Sequence, residues 1–449
     1  MSGGAGIIWP CRDNGRIAMG LFGSSGIRGL IGKDIDAELG VRIGRAVGSM
    51  FGCVVLAKDP RTSGDLVLNA LVAGLIEAGA EPYRAGMVPT PTLAYAASHF
   101  DCGLMVTASH NPPEYNGVKM WNQDGSAFDG PQTEEVERLI TEGGNRADWD
   151  AMFPEKIWEG AADEHILAMA GEVGMIEREM VLDCGCGATG PVSPRLFRDL
   201  GCPLAVLNAN PDGRFPGRPS EPSEENLGDL MGICRSKKVV GIAHDGDGDR
   251  MVAVDEKGRF VSGDRLLALF ASLMEVKAMA APVDASMVLD DIIGSPVLRT
   301  KVGDAFVSEA LKRHGLPFGG EPSGTFIFPG LSYCPDGMLA GAKLLKLLDG
   351  RPLCDMVDAL PSYPSLRESF GFRAGEREKV GSRLQEAMAS LDGRLTSVDG
   401  FRVDLEGGWL LVRLSGTEPK LRLTVEARER ADLERIADMA RARVREALH

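Results

Sequence analysis

The sequence predicts an α/β fold: three similar α/β domains with mixed sheets, followed by a smaller C-terminal α+β domain. Three segments repeat one order of features, namely a short aliphatic run, a turn rich in Gly, Asp or Pro, an amphipathic helical stretch, and a glycine that ends the helix. The chain has 449 residues, which at roughly 100–200 residues per domain indicates several domains.

The three repeated units follow one another along the chain. Their apolar runs and helices are 54–57 and 66–78, 180–182 and 194–200, and 287–289 and 307–314. Gly79, Gly201 and Gly315 follow the three helices, as expected where a helix ends in the left-handed conformation. The wide, domain-sized intervals between these glycines favour separate domains over a solenoid.

The C-terminal part has a different order of elements. It shows a helix over 376–391, strands over 409–414 and 421–427, and a charged helix over 431–447. This order predicts the smaller α+β domain. The predicted domains are 19–147, 148–251, 252–363 and 364–449. The Gly-rich residues 1–18 are predicted to be a disordered leader, with an overlong assignment of the start site as the alternative.

Composition limits the class of protein. The formal net charge of −15 argues against a general nucleic-acid-binding protein, because the field of the whole chain repels phosphates. Every apolar run is shorter than the ~18 residues that span a bilayer. The nine cysteines come without a secretory signal and suggest no disulfide framework. We therefore expect a cytoplasmic protein with neither nucleic acid nor membrane as a partner.

The sharpest motif is Asp245-Gly246-Asp247-Gly248-Asp249-Arg250, which lies between two apolar runs predicted as strands. Three carboxylates at alternate positions point to one side of an extended loop, and the glycines allow it to curve. A hard cation would relieve their repulsion and leave room for a phosphate or water oxygen, which favours magnesium. An EF-hand is excluded because Arg250 stands where that loop requires glycine. A solvated acidic turn is the alternative.

A second motif, Thr107-Ala108-Ser109-His110-Asn111-Pro112-Pro113, follows a short apolar run and continues to Lys119. The segment offers a hydroxyl nucleophile, an imidazole and an ammonium. The Gly-x-Ser-x-Gly elbow of the α/β-hydrolases is absent, so acyl transfer has no support. Beside an acidic metal loop, the motif favours phosphoryl chemistry, because a metal could neutralise a phosphate ester on Ser109. A polar turn is the alternative.

Two later loops have the residue types of a sugar site and a phosphate site. The loop Gly319-Gly320-Glu321-Pro322-Ser323-Gly324-Thr325 places a carboxylate and hydroxyls among glycines, and these groups bind sugar hydroxyls or an amine. The loop that starts at Arg413 surrounds a Ser-Gly-Thr turn with cations, as an oxyanion site requires. Its candidate phosphate-binding residues are Arg413, Ser415, Gly416, Thr417 and Arg422. Either loop could instead be an ordinary turn.

Nucleotide-binding motifs are missing from the sequence. The Gly-rich segment 22–29 lacks the Gly-Lys-Ser/Thr ending of a P-loop, and no convincing dinucleotide fingerprint is present. Arg28, within this segment, could approach a phosphate. The phosphoryl group is therefore expected to come from a source other than a nucleotide.

Taken together, the four loops resemble those of the α-D-phosphohexomutase superfamily, and they occur in the family's order, one in each proposed domain. The resemblance implies four domains around a central cleft and a phosphorylated Ser109. It also implies one Mg²⁺ per chain, bound by Asp245, Asp247, Asp249 and the seryl phosphate. The smaller motifs Asp59-Pro60-Arg61 and Val88-Pro89-Thr90-Pro91 are similar to the same family.

The resemblance also implies a reaction. Phosphoserine 109 would interconvert glucosamine 6-phosphate and glucosamine 1-phosphate through a bound hexose bisphosphate, with hexose 1,6-bisphosphate as primer or activator. The implied catalytic residues are Ser109, His110, Lys119, Arg250 and Arg28. Lys119 is favoured over His110 for the hydroxyl proton. Glu321 and Ser323 would hold sugar hydroxyls, and Lys301 would contact phosphate.

The sugar and the class of activity have alternatives. Pro322 and Thr325 depart from the bacterial glucosamine pattern, so mannose and glucose phosphates stay open as substrates. A metal-dependent sugar phosphatase and a non-catalytic sugar-phosphate-binding protein are rival functions. The expected partner is a small hexose or hexosamine phosphate, and the protein is expected to be a monomer or homodimer.

Overall fold

In a computed structural model, residues 21–23, 26–414 and 419–448 are described. They form four sheets flanked by helices, one sheet in each of four successive parts of the chain. The predicted α/β class, with three mixed sheets and a smaller C-terminal α+β unit, is confirmed. The predicted leader 1–18 and three predicted phosphate ligands, Ser415, Gly416 and Thr417, lie outside the described residues.

The first unit is a six-stranded mixed sheet in the order β1-β5-β4-β2-β3-β6. Its elements are β1 Ile27–Leu30, α1 Ala37–Gly48, β2 Cys53–Lys58, α2 Gly64–Ala78, β3 Glu81–Met87, α3 Thr90–Ala96, β4 Cys102–Val106, β5 Tyr115–Asn122, α4 Gly130–Glu142 and β6 Lys156–Ile157. Helix α2 ends at Gly79, whose φ of 89° is left-handed, as the sequence predicted. The short loop between β4 and β5 contains Ser109.

The second unit is a five-stranded mixed sheet in the order β11-β10-β9-β7-β8. Its elements are α5 Ala161–Val173, β7 Met180–Asp183, α6 Ser193–Asp199, β8 Leu204–Leu207, α7 Gly228–Lys237, β9 Val240–His244, β10 Met251–Val254 and β11 Phe260–Val261. Strands β9 and β10 are antiparallel neighbours, and His244 pairs with Met251. The acidic motif 245–250 is therefore the turn of a hairpin, as the strand, loop and strand pattern predicted.

The third unit is a four-stranded mixed sheet in the order β13-β12-β14-β15. Its elements are α8 Gly263–Leu273, β12 Ala280–Pro282, α9 Val288–Ile293, β13 Leu298–Thr300, α10 Asp304–His314, β14 Gly319–Glu321, β15 Thr325–Ile327, α11 Gly337–Leu348 and α12 Leu353–Asp358. The apolar run 287–289, the first of the third repeated segment, lies at the start of helix α9 and not on a strand. A run of three apolar residues is too short to distinguish the period of a helix from that of a strand. The strand of this part of the chain, β12, contains no β-branched residue and ends in proline, so its sequence did not indicate a strand.

The fourth unit is a five-stranded antiparallel sheet in the order β16-β20-β19-β18-β17, and two helices accompany it. Its elements are β16 Ser365–Gly371, α13 Arg377–Ala389, β17 Arg394–Thr396, β18 Phe401–Leu405, β19 Gly408–Leu414, β20 Lys420–Ala427 and α14 Arg430–Leu448. Alternate residues of β20 are buried under α14, among them Leu421, Leu423 and Val425. This burial follows the two-residue period of a strand with one covered face.

The units are closely packed against one another. One hydrophobic core runs through the second and third units, from Ile166 to Val357. The domain limits near 148, 252 and 364 stay a prediction, and strands β6 and β11 lie beyond the first two limits but belong to the preceding sheets. Within the described part of the chain, no helix is both long and apolar enough to cross a membrane.

Candidate active site

The hairpin turn between β9 and β10 gathers three aspartates. One carboxylate oxygen from each of Asp245, Asp247 and Asp249 lies within 4.8 Å of the others, and all three residues are buried. Gly248 has a φ of 78°, which lets the turn curve back between the second and third carboxylates. The predicted convergence of alternate carboxylates is therefore present in the folded chain.

The donor set of this cluster suits a hard divalent cation. Oδ1 of Asp247 and Oδ1 of Asp249 are buried and have no hydrogen-bond partner, although buried carboxylate oxygens are normally paired. Burial and the neighbouring aspartates raise the pKa of Asp245 and of Asp249. A bound cation would satisfy the free oxygens and offset this repulsion, so the residues fit a metal that prefers oxygen ligands.

Lys119, on β5 of the first unit, reaches into the same cluster. Its Nζ donates to Oδ2 of Asp247 at 2.8 Å and also to Oδ2 of Asp249. Burial alone would lower the pKa of Lys119, but the two carboxylates outweigh burial and raise it. Burial would likewise raise the pKa of Asp247, but Lys119 holds it below its ordinary value. The ammonium thus balances part of the negative charge of the cluster.

Ser109 also contacts the acidic hairpin. Its Oγ donates to Oδ2 of Asp245 at 2.7 Å, across 136 positions of sequence. The backbone of Ser109 is left-handed, with a φ of 53°, which costs a non-glycine residue about 1–2 kcal/mol. Such strain persists only where surrounding contacts hold it, and it is common at functional sites. The serine and the aspartates predicted from separate motifs therefore share one site.

His110 follows Ser109 and is half-buried at the edge of the cluster. Its Nδ1 lies 3.5 Å from Oγ of Ser109. Burial, helped by the positive charges of Arg250 and Arg28, lowers the pKa of His110 to about 3. The imidazole is therefore neutral near pH 7.

Arg28 and Arg250 supply positive charge beside the serine. The Nε atoms of both guanidinium groups are buried and have no hydrogen-bond partner. Arg28 lies on β1, next to β5, and Arg250 ends the acidic hairpin. Cations with unused donors beside a nucleophile are suited to an anionic substrate group.

The predicted sugar loop adjoins the acidic hairpin. Arg250 forms a β-bridge with Thr325, and the amide of Met251 donates to the carbonyl of Gly324 at 2.9 Å. Glu321 is buried at the end of β14, where its Oε1 accepts a hydrogen bond from the amide of Gly303 at 2.7 Å. Burial, together with the negative charge of Asp304, raises the pKa of Glu321 to about 7.

The other predicted residues of this site belong to the third and fourth units. Oγ of Ser323 lies 3.4 Å from Oε2 of Glu321. Nζ of Lys301 lies 5.3 Å from the ring centroid of Phe306. Arg413 and Arg422 are partners in the register of β19 and β20.

Arg413 is linked to the loop that follows Lys301. It forms an ion pair of 2.6 Å with Asp399, whose Oδ2 also accepts from the amide of Val302 at 3.0 Å. The fourth unit therefore contacts the loop of the third unit that carries Lys301 and leads to Gly303, the partner of Glu321.

Sequence reasoning did not assign roles to four residues that shape the site. Thr90 donates through Oγ1 to Oδ2 of Asp247 at 2.6 Å. Arg61, Arg218 and Ser220 are buried and form hydrogen bonds with the backbone of the serine loop or of the acidic hairpin. The Asp-Pro-Arg motif at 59–61 was a local signal for Arg61. Arg218 and Ser220 had no such signal.

Four family models match successive parts of the chain. They describe domain I of phosphoglucomutase/phosphomannomutase at residues 19–147, domain II at 165–258, domain III at 262–363 and the C-terminal domain at 374–443. The fold and the site thus define a phosphohexomutase, and the chain belongs to the phosphoglucomutase/phosphomannomutase family of the α-D-phosphohexomutase superfamily.

Curated relatives cover nearly the whole chain. A protein named probable phosphoglucosamine mutase from Methanosarcina acetivorans is 46% identical over 96% of this chain and 100% of its own length. The phosphoglucosamine mutase of Methanocaldococcus jannaschii is 40% identical over 95% of this chain and 99% of its own. These identities span all four units.

The solved structures agree with the family assignment. A phosphoglucomutase/phosphomannomutase family protein from Burkholderia thailandensis superimposes with a TM-score of 0.85 at 32% identity, and the match covers 94% of this chain and 97% of that one. A putative phosphomannomutase from Thermus thermophilus gives a TM-score of 0.78 at 25% identity over 94% and 98% of the two chains.

Proposed function

We propose that the protein is a phosphoglucosamine mutase, which interconverts glucosamine 6-phosphate and glucosamine 1-phosphate through a phosphorylated Ser109. The observation that carries the proposal is the 2.7 Å hydrogen bond from Ser109 to Asp245, inside a buried aspartate cluster with free oxygens. The near-full-length relatives named phosphoglucosamine mutase support the choice of sugar.

Magnesium is the proposed metal, held by Asp245, Asp247 and Asp249. The donors are all oxygens, and three carboxylates leave positions in an octahedral shell for a phosphate oxygen or water, which favours this ion. When bound, it would supply charge neutralisation and polarisation at the phosphoryl group on Ser109. Hexose 1,6-bisphosphate is the proposed primer, because the unmodified serine must receive its phosphoryl group from a donor that the reaction itself contains.

The proposed reaction has two transfers, with no nucleotide consumed. In the first, the bond from phosphorus to Oγ of Ser109 breaks and a bond to the free sugar hydroxyl forms. The hydroxyl loses its proton, and Oγ ends protonated. The bound bisphosphate then turns round, and its other phosphoryl group returns to Oγ by the reverse exchange. Phosphate therefore moves between O6 and O1 of one sugar.

The side chains around Ser109 divide the remaining tasks. We assign the hydroxyl proton to Lys119 or His110. Asp247 and Asp249 raise the pKa of Lys119, so its ammonium must release a proton before it can accept one, whereas the neutral ring of His110 lies 3.5 Å from Oγ of Ser109. Arg28 and Arg250 would offset the charge of the transferring group. Phosphoryl transfer depends mainly on such positioning and charge stabilisation.

The sugar is assigned to the third unit and the second phosphate to the fourth. The Glu321 carboxylate, with Ser323 beside it, is suited to sugar hydroxyls or the amine of glucosamine. Lys301, Arg413 and Arg422 are the proposed phosphate contacts, together with Ser415, Gly416 and Thr417 from the family motif. This division would let one sugar bind in either orientation.

The test compares glucosamine, mannose and glucose 6-phosphates in steady state, with Mg²⁺ and a trace of the matching bisphosphate. We expect glucosamine phosphate to be isomerised with at least about tenfold higher kcat/KM, a discrimination of about 1.4 kcal/mol. A preference for mannose or glucose phosphate would change the assigned substrate and leave the assignment as a phosphohexomutase unchanged. Stoichiometric release of free phosphate would instead support the phosphatase, and binding without turnover would support the non-catalytic protein.

A further inference from the structure

Side chains from two domains donate hydrogen bonds to the same backbone atom of Ser109, its carbonyl oxygen. The carbonyl oxygen of Ser109 accepts a hydrogen bond of 2.8 Å from Arg61, in the first unit, and one of 2.9 Å from Ser220, in the second. Both donors are buried, with Arg61 1% and Ser220 3% exposed. Because φ and ψ of a residue set the direction of both its carbonyl and its side chain, fixing this carbonyl restricts where Oγ can point.

Every N–H group of the Arg61 guanidinium donates a hydrogen bond. Its Nε donates to Asp59 at 3.0 Å, and its two terminal nitrogens donate to four backbone carbonyls of the loop and the first residue of β5. These carbonyls belong to Ser109, Asn111, Pro112 and Tyr115. All five N–H groups of the guanidinium are therefore used, four by these carbonyls and one by Asp59. A planar, rigid donor group is suited to this task in a way that a lysine is not.

The loop 212–220 of the second unit also contacts Arg61. The ring centroid of Phe215 lies 5.2 Å from Cζ of Arg61. Arg218, in the same loop, donates to the carbonyl of His244 at 2.6 Å and forms an ion pair of 2.9 Å with Asp183. His244 immediately precedes Asp245. One loop thus contacts both the serine and the start of the acidic hairpin.

We propose that Arg61 and Ser220 are positioning residues, which hold the Ser109 peptide so that Oγ faces Asp245 at the aspartate cluster. The inference rests on the proposed function, because it assigns these residues a role in transfer at Ser109. Neither side chain is expected to touch the sugar phosphate. A misplacement of about 1 Å at a reacting group can lower a rate about 100-fold, so the loss should fall on the transfer step.

Ser220→Ala is the first test, because it removes one hydroxyl from the site. Ser308→Ala is the matched control: the Ser308 hydroxyl is also buried and donates to a backbone carbonyl, that of Tyr333, at 2.9 Å. We expect Ser220→Ala to lower kcat and the rate of Ser109 phosphorylation by bisphosphate about tenfold, with KM within about twofold of the wild type. Ser308→Ala should leave both rates unchanged.

Arg61→Lys is the second test, since it keeps the charge and loses the four-carbonyl geometry. We expect kcat to fall at least about 100-fold, measured well below the melting temperature of the variant. Hydrogen–deuterium exchange of the segment 107–117 should become faster in both variants and stay unchanged in Ser308→Ala. Exchange does not depend on turnover, so it tests the inference even if the wild type isomerises no sugar phosphate.

The outcomes separate the two proposals. Suppose that the wild type has no mutase activity but that hydrogen–deuterium exchange of the segment 107–117 becomes faster in Ser220→Ala and Arg61→Lys. This result would reject the proposed function and support the positioning of the Ser109 backbone. An active wild type and variants with unchanged kcat, or with kcat lowered only in proportion to the folded fraction, would overturn the inference and leave the proposed function standing.

Discussion

Oγ of Ser109 donates a hydrogen bond of 2.7 Å to Oδ2 of Asp245, and this contact joins a loop of the first domain to a hairpin of the second. The serine is 1% exposed and the aspartate is fully buried. Because Oγ lies against one carboxylate of the cluster, a phosphoryl group on Oγ would lie next to a cation bound by the aspartates. The candidate active site therefore depends on how these two domains pack.

Replacing the serine tests the proposed nucleophile. Ser109→Ala should lower mutase activity by about 10³-fold or more, because no phosphoryl group can then be stored on the enzyme. Product formation from glucosamine 6-phosphate is measured beside the intact mass of bisphosphate-treated protein, which should gain one phosphoryl group only in the wild type. Ser98→Ala is the control, since Ser98 is exposed and donates to the carbonyl of Tyr95. Undiminished activity in Ser109→Ala would contradict the mechanism.

The aspartate cluster makes a prediction about thermal stability. Mg²⁺ at about 100 times its dissociation constant should stabilise the wild type by about 2.7 kcal/mol, because the ion binds only the folded site. Asp247→Asn should abolish this shift, since it removes one of the three carboxylates. Melting temperatures with Mg²⁺ and with a chelator check the expectation, and the exposed Asp229→Asn serves as control. An equal Mg²⁺-dependent shift in Asp247→Asn would reject the cluster as the metal site.

The acidic hairpin could be predicted because its information is local. Alternate aspartates separated by glycine, between two apolar runs, specify both the strand pairing and the convergence of the carboxylates. The third unit shows the opposite case. Strand β12 is only three residues long and reads Ala-Ala-Pro, so its strand state is decided by pairing with β13 and β14, which no local pattern reports.

The partners of the site residues could not be predicted from the sequence. Lys119 was recognised as a candidate, but its contacts with Asp247 and Asp249 arise because β5 of one sheet faces the hairpin of another. Likewise, Arg218 lies 35 positions from its partner Asp183. Contacts of this kind follow from tertiary packing, between domains for Lys119 and within one domain for Arg218, and sequence spacing carries no record of them.

The carboxyl group of Glu321 predicts a pH dependence of activity. Burial and Asp304 raise its pKa to about 7, and the ionised form is both the stronger acceptor of hydrogen bonds from sugar hydroxyls and the form that pairs with an ammonium. The value of kcat/KM should therefore be full above pH 7 and fall as the pH drops through this pKa. The profile is measured from about pH 5.5 to about pH 9, a range that extends well below and well above this pKa.

The variant Glu321→Gln separates this titration from that of the substrate, whose phosphate titrates near pH 6. It should remove the limb near pH 7 and keep the substrate limb. At high pH its kcat/KM should be about 10- to 100-fold below the wild type, because a charged, buried acceptor is lost. A limb near pH 7 that persists in Glu321→Gln would assign the titration to another group.

The close approach of the first two domains at Gly213 gives a last prediction. A Cβ at Gly213 would lie 2.3 Å from the carbonyl oxygen of Pro60 and 2.5 Å from Cα of Arg61, so the backbones cannot keep their separation. Gly213→Ala should cost about 1–3 kcal/mol of stability and lower kcat as the serine loop shifts. Gly232→Ala, exposed within α7 with nothing within 4 Å of its Cβ, should instead stabilise the protein by about 0.5–1 kcal/mol. Urea unfolding and steady-state kinetics measure both effects. Equal stability and activity in the two variants would show that contact between these backbones does not set the geometry at Ser109.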